Sequence, residues 1–204
     1  MRIQMTSAAL LLATAVALTG CSGADEVSGG LSDATDTASS APSGGAGAAE
    51  LDAEPATGSP VEGSSYSLTL PQGWAVTEPQ TSGGLTTDLV ASDPADVDGF
   101  PDGLNVLAPG GAVTPEQIET LSPQELASAG ASDVTVEPRV IVGGSEAAHI
   151  SATITTGDVD YAADQYYVSD DEQTYVVTFQ FSTSVPKADR ERTAESVLVT
   201  WAWN

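Results

Sequence analysis

Three groups of residues carry side chains that could do chemistry. Cys21 is the only cysteine and His149 the only histidine. Asp93, Asp96, Asp98 and Asp102 crowd one short stretch rich in Pro and Gly. A lone thiol in an exported chain has no partner for an internal disulfide, which leaves modification or free reactivity as its use. A lone histidine must serve any imidazole-dependent proton transfer by itself. Clustered carboxylates suit hard cations such as calcium, which take oxygen ligands.

The position of Cys21 gives it a role. The run from Ala8 to Leu18 is apolar and uncharged, Arg2 precedes it, and Leu18-Thr19-Gly20-Cys21 follows. The run is too short for a spanning helix, which needs about 20 apolar residues, and has the layout of a secretory h-region. Its end resembles the lipobox of bacterial lipoproteins. In those proteins the thiol is diacylated and the chain is cut just before it, here between Gly20 and Cys21. The resemblance implies a diacylglyceryl thioether on Cys21, often with an acylated new N-terminus, on the extracytoplasmic face of the cell membrane. Two or more acyl chains hold stably where one does not, at about 0.8 kcal/mol per buried methylene.

The other groups are less specific. Asp96-Val97-Asp98-Gly99 has the start of a calcium loop, but Pro101 occupies a ligand position and no Glu closes the loop. Asp158, Asp160, Asp170, Asp171 and Glu172 sit at turns that could converge on a cation, although Asp also favours turns by bonding its own backbone. Zinc needs nitrogen and sulfur ligands that one His and one lipidated Cys do not supply. His149 alternates with Ser151, Thr153 and Thr155, a set expected to face solvent or a partner. A hydrolase using His149 would need a serine elbow, and no G-x-S-x-G is present. No cofactor, resident metal or catalytic residue is therefore expected.

Charge narrows the partners. After cleavage at Cys21, four basic residues against 29 acidic ones leave a net charge of −25. Such a chain repels nucleic acid and anionic head groups, so lipid rather than a basic patch must hold it at a membrane. The charge also favours a soluble monomer.

The elements that must position these residues fall in one body. Residues 1–20 are the signal. Residues 21–63 are Ser, Gly, Ala, Pro, Thr and acids with only single apolar residues, a composition that cannot bury enough surface to order itself. This stretch is expected to be a disordered tether, spanning on the order of 35 Å. Residues 64–204 form a single domain of ordinary size. Tyr66, Leu68 and Leu70 alternate as a strand that ends at Pro71-Gln72-Gly73, and Trp74 and Val76 resume an apolar face. Leu85 to Ala91 and Leu104 to Ala108 are strands flanking an Asp-rich loop. Thr114-Pro115 and Ser122-Pro123 each signal a helix start, giving two short helices or one kinked at Pro123. Ile118 and Leu121 would form one apolar face, and Gly130 the stop. Val134 to Val142, broken by Pro138, bends or lies at an edge. Ala148 to Ile154, Tyr161 to Val168 and Tyr175 to Phe181 complete the strands. Ala194, Val197, Leu198 and Trp201 form one stripe of a final helix opened by Pro186. The order of elements indicates an α+β fold, an antiparallel sheet packed by helices.

Tyr66-Ser67-Leu68-Thr69-Leu70-Pro71-Gln72-Gly73-Trp74, Gly143-Gly144-Ser145-Glu146-Ala147, the Tyr-rich hairpin and Ser196-Val197-Leu198-Val199-Thr200-Trp201 together resemble the LpqN/LpqT-type actinobacterial lipoproteins. That resemblance implies a PsbP-like α/β/α sandwich and a lipid-anchored, non-enzymatic binding or accessory module of the cell envelope, with an envelope protein or cell-wall component as partner. A carrier or sensor of an apolar envelope molecule, held between sheet and helices, is the alternative.

Overall fold

A computed structural model describes residues 47–204 except Gln80, Gly83, Gly84, Asp98 and Gly99. Cys21, Gly20 and the rest of the signal lie outside the described residues, as does most of the expected tether. In chain order the elements are β1 (Ala49–Glu50), β2 (Pro60–Glu62), β3 (Tyr66–Thr69), β4 (Ala75–Val76), β5 (Thr81–Ser82), β6 (Leu85–Thr86), β7 (Leu89–Ser92) and β8 (Gly103–Leu107), then α1 (Pro115–Ser128). They continue with β9 (Ser132–Val142), β10 (Ser145–Thr156), β11 (Val159–Ser169), β12 (Thr174–Ser182), α2 (Lys187–Leu198) and β13 (Ala202–Trp203).

Eight strands form the main sheet in the order β1-β9-β10-β11-β12-β8-β7-β4. Every pairing is antiparallel except β1 on β9. A smaller sheet, β13-β3-β2, lies over one face together with α2, and β5-β6 is a separate hairpin. Tyr66, Leu68, Val177, Phe179, Val197, Leu198 and Trp201 fill the space between them. On the opposite face α1 packs Ile118 and Leu126 onto Ala148, Ile150 and Tyr167. The fold is thus α+β, with helices on both sides of a mixed rather than purely antiparallel sheet.

Local chemistry explains the elements. Thr114 accepts from the Gln117 backbone while the Gln117 side chain accepts from the Thr114 N–H, a reciprocal capping box. Helix α1 is one continuous helix that holds Pro123, not two. It ends in a Schellman arrangement: the Ala131 N–H reaches the Leu126 carbonyl, the Gly130 N–H reaches Ala127, and Gly130 has a φ of 96°. Gly143 and Gly144, with φ values of 60° and 85°, make the two-residue turn between β9 and β10. A Cβ on Gly143 would meet Trp201 Cδ1 and Trp203 Nε1 at 2.8 Å. Gly143→Ala should therefore lower stability by roughly 1–3 kcal/mol, read as a shift in urea midpoint.

Several expectations need correction. The body begins before residue 64: β1 pairs with β9, β2 pairs with β3, and Leu51, Ala56 and Val61 pack on the core. Single apolar residues suffice here because each meets an already formed surface. The expected strand from Leu85 to Ala91 is divided between β6 and β7. Val76 is 53% exposed because β4 is an edge strand, and Leu121 is exposed because Ser122 takes its place on the buried face of α1. Helix α2 stops at Leu198, and Trp201 is buried from the turn that leads into β13. Pro138 neither ends nor exiles its strand. Two residues of β9, Pro138 and Arg139, oppose one residue of β10 at a bulge, where a missing N–H costs no ladder bond.

Candidate functional site

The alternation along β10 places Ala147, His149 and Ser151 on the face that α2 covers, and Ala148, Ile150 and Ala152 on the other. His149 is 4% exposed, so the expectation of a solvent-facing histidine is overturned. The reason is topological. β10 is an interior strand with a helix over each face, and such strands bury both sets of side chains.

Beneath α2 the imidazole meets a group that the sequence reading passed over. Asp164 of β11 is fully buried, and its Oδ1 lies 3.5 Å from His149 Nε2. Its Oδ2 accepts from Arg190 Nε of α2 at 3.1 Å, and Arg190 Nη1 donates to the Val185 carbonyl at 3.1 Å. The imidazole stacks on Tyr166, with centroids 4.1 Å apart and planes 14° from parallel. At one side Ser151 donates to Glu137 at 2.7 Å, Lys187 reaches Glu137 at 3.3 Å, and Lys187 also pairs with Glu191.

The electrostatics follow from burial and neighbours. Burial would raise the Asp164 pKa, but the close approach of His149 and the hydrogen bond and charge of Arg190 outweigh it and hold the carboxyl below its ordinary range. Burial pushes the Tyr166 phenol well up, helped by the carboxylates of Asp164, Glu195, Glu191 and Glu137. Burial, then the nearby Glu191, raises Glu195, while His149 opposes the rise. Among the described residues the phenol, Asp164 Oδ1 and His149 Nε2 have no hydrogen-bond partner.

This arrangement joins helix to sheet. It is not the relay a serine hydrolase needs, because the Ser151 hydroxyl is committed to Glu137 rather than to the imidazole. Asp164 was nevertheless legible. It shares a strand face with Ala162, Tyr166 and Val168, and an ionisable group on an apolar face signals a buried pair. Arg190 is one of only five basic residues. Its partner had to be sought among many acids.

Arg139 does the same on the other face. Its guanidinium reaches Glu119 of α1 through Nε at 2.6 Å and Nη2 at 2.9 Å, Glu116 at 2.6 Å and Glu146 of β10 at 2.9 Å. Arg192 pairs with Asp189 at 2.6 Å. Each of the four basic side chains among the described residues is thus held by carboxylates.

The acidic loop is organised by its own backbone. Asp93 Oδ1 accepts from the Ala95 N–H at 2.8 Å, Asp96 Oδ2 from the Asp102 N–H at 3.0 Å, and Asp102 Oδ1 from the Ser182 N–H at 3.4 Å. Asp98 lies outside the described residues. Asp170 Oδ1 closes its turn by accepting from the Glu172 and Gln173 N–H groups. The turn acids do not converge. Asp158 and Asp160 stand at one end of β11 and Asp170 to Glu172 beyond the other, about 35 Å away for an 11-residue strand. Among the described residues no group of three or more His, Cys, Asp or Glu side chains could hold a metal ion.

No family model matches the chain, and no curated protein matches it in sequence. Among solved structures it is similar to a protein of Bacteroides thetaiotaomicron VPI-5482, with TM-score 0.43 and 14% identity over 68% of this chain and 45% of that one. This chain therefore spans less than half the length of that protein. It is also similar to LpqN of Mycobacterium tuberculosis, described as involved in cell envelope biogenesis, with TM-score 0.47 and 14% identity over 72% of this chain and 90% of that one.

Proposed function

We propose that the protein is a lipid-anchored, extracytoplasmic component of the cell envelope, whose PsbP-like α/β/α domain is a non-enzymatic binding module for an envelope protein or cell-wall component. The observation that carries this reading is Cys21, the sole thiol, set directly behind an uncharged apolar run and Thr19-Gly20. The domain chemistry supports it. The residues best suited to acid–base work, His149 and Asp164, are buried and serve to hold α2 on the sheet. Among the described residues no helix is long and apolar enough to cross a membrane. The acyl group is the only non-protein component of this reading, and the acidic surface makes nucleic acid an unsuitable partner.

Cys21→Ser should move the protein from the membrane fraction into the medium. Mass spectrometry of the wild-type N-terminus should find an acylated Cys21. An unprocessed, unlipidated wild-type chain free in the medium would overturn the proposal.

A further inference from the structure

The two helices are fastened to the sheet on unequal terms. Helix α2 buries Ala194, Val197 and Leu198 in the main core and adds the enclosed Arg190–Asp164 pair. Of the 14 residues of α1 only Ile118, Ser122 and Leu126 are buried, and the middle one is polar. Pro123, beside it, has no N–H to offer the Glu119 carbonyl four residues back, so the helix is also weak along its own axis. What α1 lacks in apolar contact is made up at its rim. Arg139 of β9, with a side chain 20% exposed, joins Glu116 and Glu119 of α1 to Glu146 of β10.

Both ends of α1 are built as pivots. Before the helix, the Thr174 N–H donates to the Gly111 carbonyl at 3.0 Å and the Val113 N–H donates to Thr174 Oγ1 at 2.8 Å, which pins the chain to β12. After it, the turn at Gly130 is unobstructed, since a Cβ there would meet nothing within 4 Å. Beneath α1 the ladder from β9 through β10 to β11 is complete without the helix. The surface there, Ala148, Ile150 and Tyr167 bordered by Val134 and Val176, is uncharged. Elements with few buried apolar contacts are the ones that open at less than the free energy of global unfolding.

We infer that α1 is a lid with Arg139 as its clasp: it leaves the sheet as one unit while α2 and the sheet stay folded, and it uncovers the strip of Ala148, Ile150 and Tyr167. The clasp sits at the rim, within reach of water, where ion pairs are weakest and most easily screened. The strip carries no charge, so the open state presents an apolar surface on a chain that is otherwise strongly acidic. This inference goes beyond the reading of the domain as a binding module and is independent of the anchor. Fractionation tests Cys21, whereas hydrogen exchange tests the lid, and either result stands without the other.

The test is native-state hydrogen exchange of the full chain, read by mass spectrometry over urea concentrations below the unfolding transition. The amides of residues 119–129 should share one opening constant, larger than that of β10, β11 and α2 by about tenfold or more, and nearly flat in urea where theirs climbs. Arg139→Met should raise that constant about tenfold, and Pro123→Ala, which restores the helix bond, should lower it. Ile150→Cys lies under the lid and should react with N-ethylmaleimide much faster than Val177→Cys, which is equally buried on the α2 face. One common rate and urea slope for α1, β10 and α2, a constant for α1 unmoved by both Arg139→Met and Pro123→Ala, or labelling of Ile150→Cys as slow as that of Val177→Cys would each overturn it.

Discussion

Arg190→Met should destabilise the domain by about 3–5 kcal/mol, read by urea unfolding at neutral pH, because it strands a carboxylate that has no route to solvent. Asp164 is fully buried, and the Arg190 side chain is only 14% exposed. The methionine keeps most of the packing, so the loss reports the unpaired charge. Asp164→Asn in the same chain should recover much of it, since a neutral amide needs no counter-charge. A double-mutant cycle measures the coupling. Equal losses in the single and the double variants would show that the arginine acts through packing alone. The pH dependence has a fixed sign. Asp164 binds its proton less readily folded than unfolded. Its contribution is therefore fully present above the unfolded value, about 3.9, and is lost as pH falls through the lower folded value. The double variant should lack this part of the acid unfolding profile.

The same pair shows what the sequence could and could not convey. Alternation identified β3, β10 and β12, because in each strand one face is continuously apolar and period two is unambiguous, whereas β11 was legible as a Tyr-rich run with a polar residue on each face. Capping chemistry identified the start of α1 and its stop at Gly130, since those signals act within a few residues. What failed depended on distant chain. Whether the second face of β10 meets water is decided by α2, which lies some 40 residues further on, so His149 was misread. The entry of residues 47–63 into the fold is decided by surfaces that β3, β9 and α2 supply. The Ala56 N–H, for example, donates to the Ser196 carbonyl at 2.8 Å. Asp164 was overlooked within a correctly identified strand because its partner, Arg190, is 26 residues away. Composition marks that segment as linker and strand pattern marks Asp164 as an anomaly, but only tertiary contacts say what each one touches.

The largest single side-chain truncation should be Trp201→Ala, with a loss of about 3–5 kcal/mol. That is a large share of the 5–15 kcal/mol that holds a typical domain. Trp201 is 5% exposed and lies at the junction of the small sheet, the main sheet and the end of α2. It stacks on Tyr66 with centroids 4.1 Å apart, meets Trp203 edge-on at 5.3 Å and Tyr175 at 6.0 Å. Around it Thr200 Oγ1 accepts from the Thr69 N–H at 2.8 Å, and Asn204 bonds Ser65 and Tyr66 backbone carbonyls. Removing the indole unsupports β13 and β3 first, and with them β2, which pairs only with β3. Limited proteolysis of Trp201→Ala should therefore cut between residues 47 and 63 under conditions where the wild-type body resists. Trp201→Phe separates the two roles of the side chain. It retains an aromatic face for Tyr66 and deletes an indole N–H that is buried without a partner, so it should cost much less than alanine. If phenylalanine and alanine were equally damaging, the indole would be acting through its N–H or its full size rather than through the stack. If neither exposed residues 47–63, the N-terminal segment would be held by β9 and the Ala56–Ser196 bond instead of by the aromatic junction.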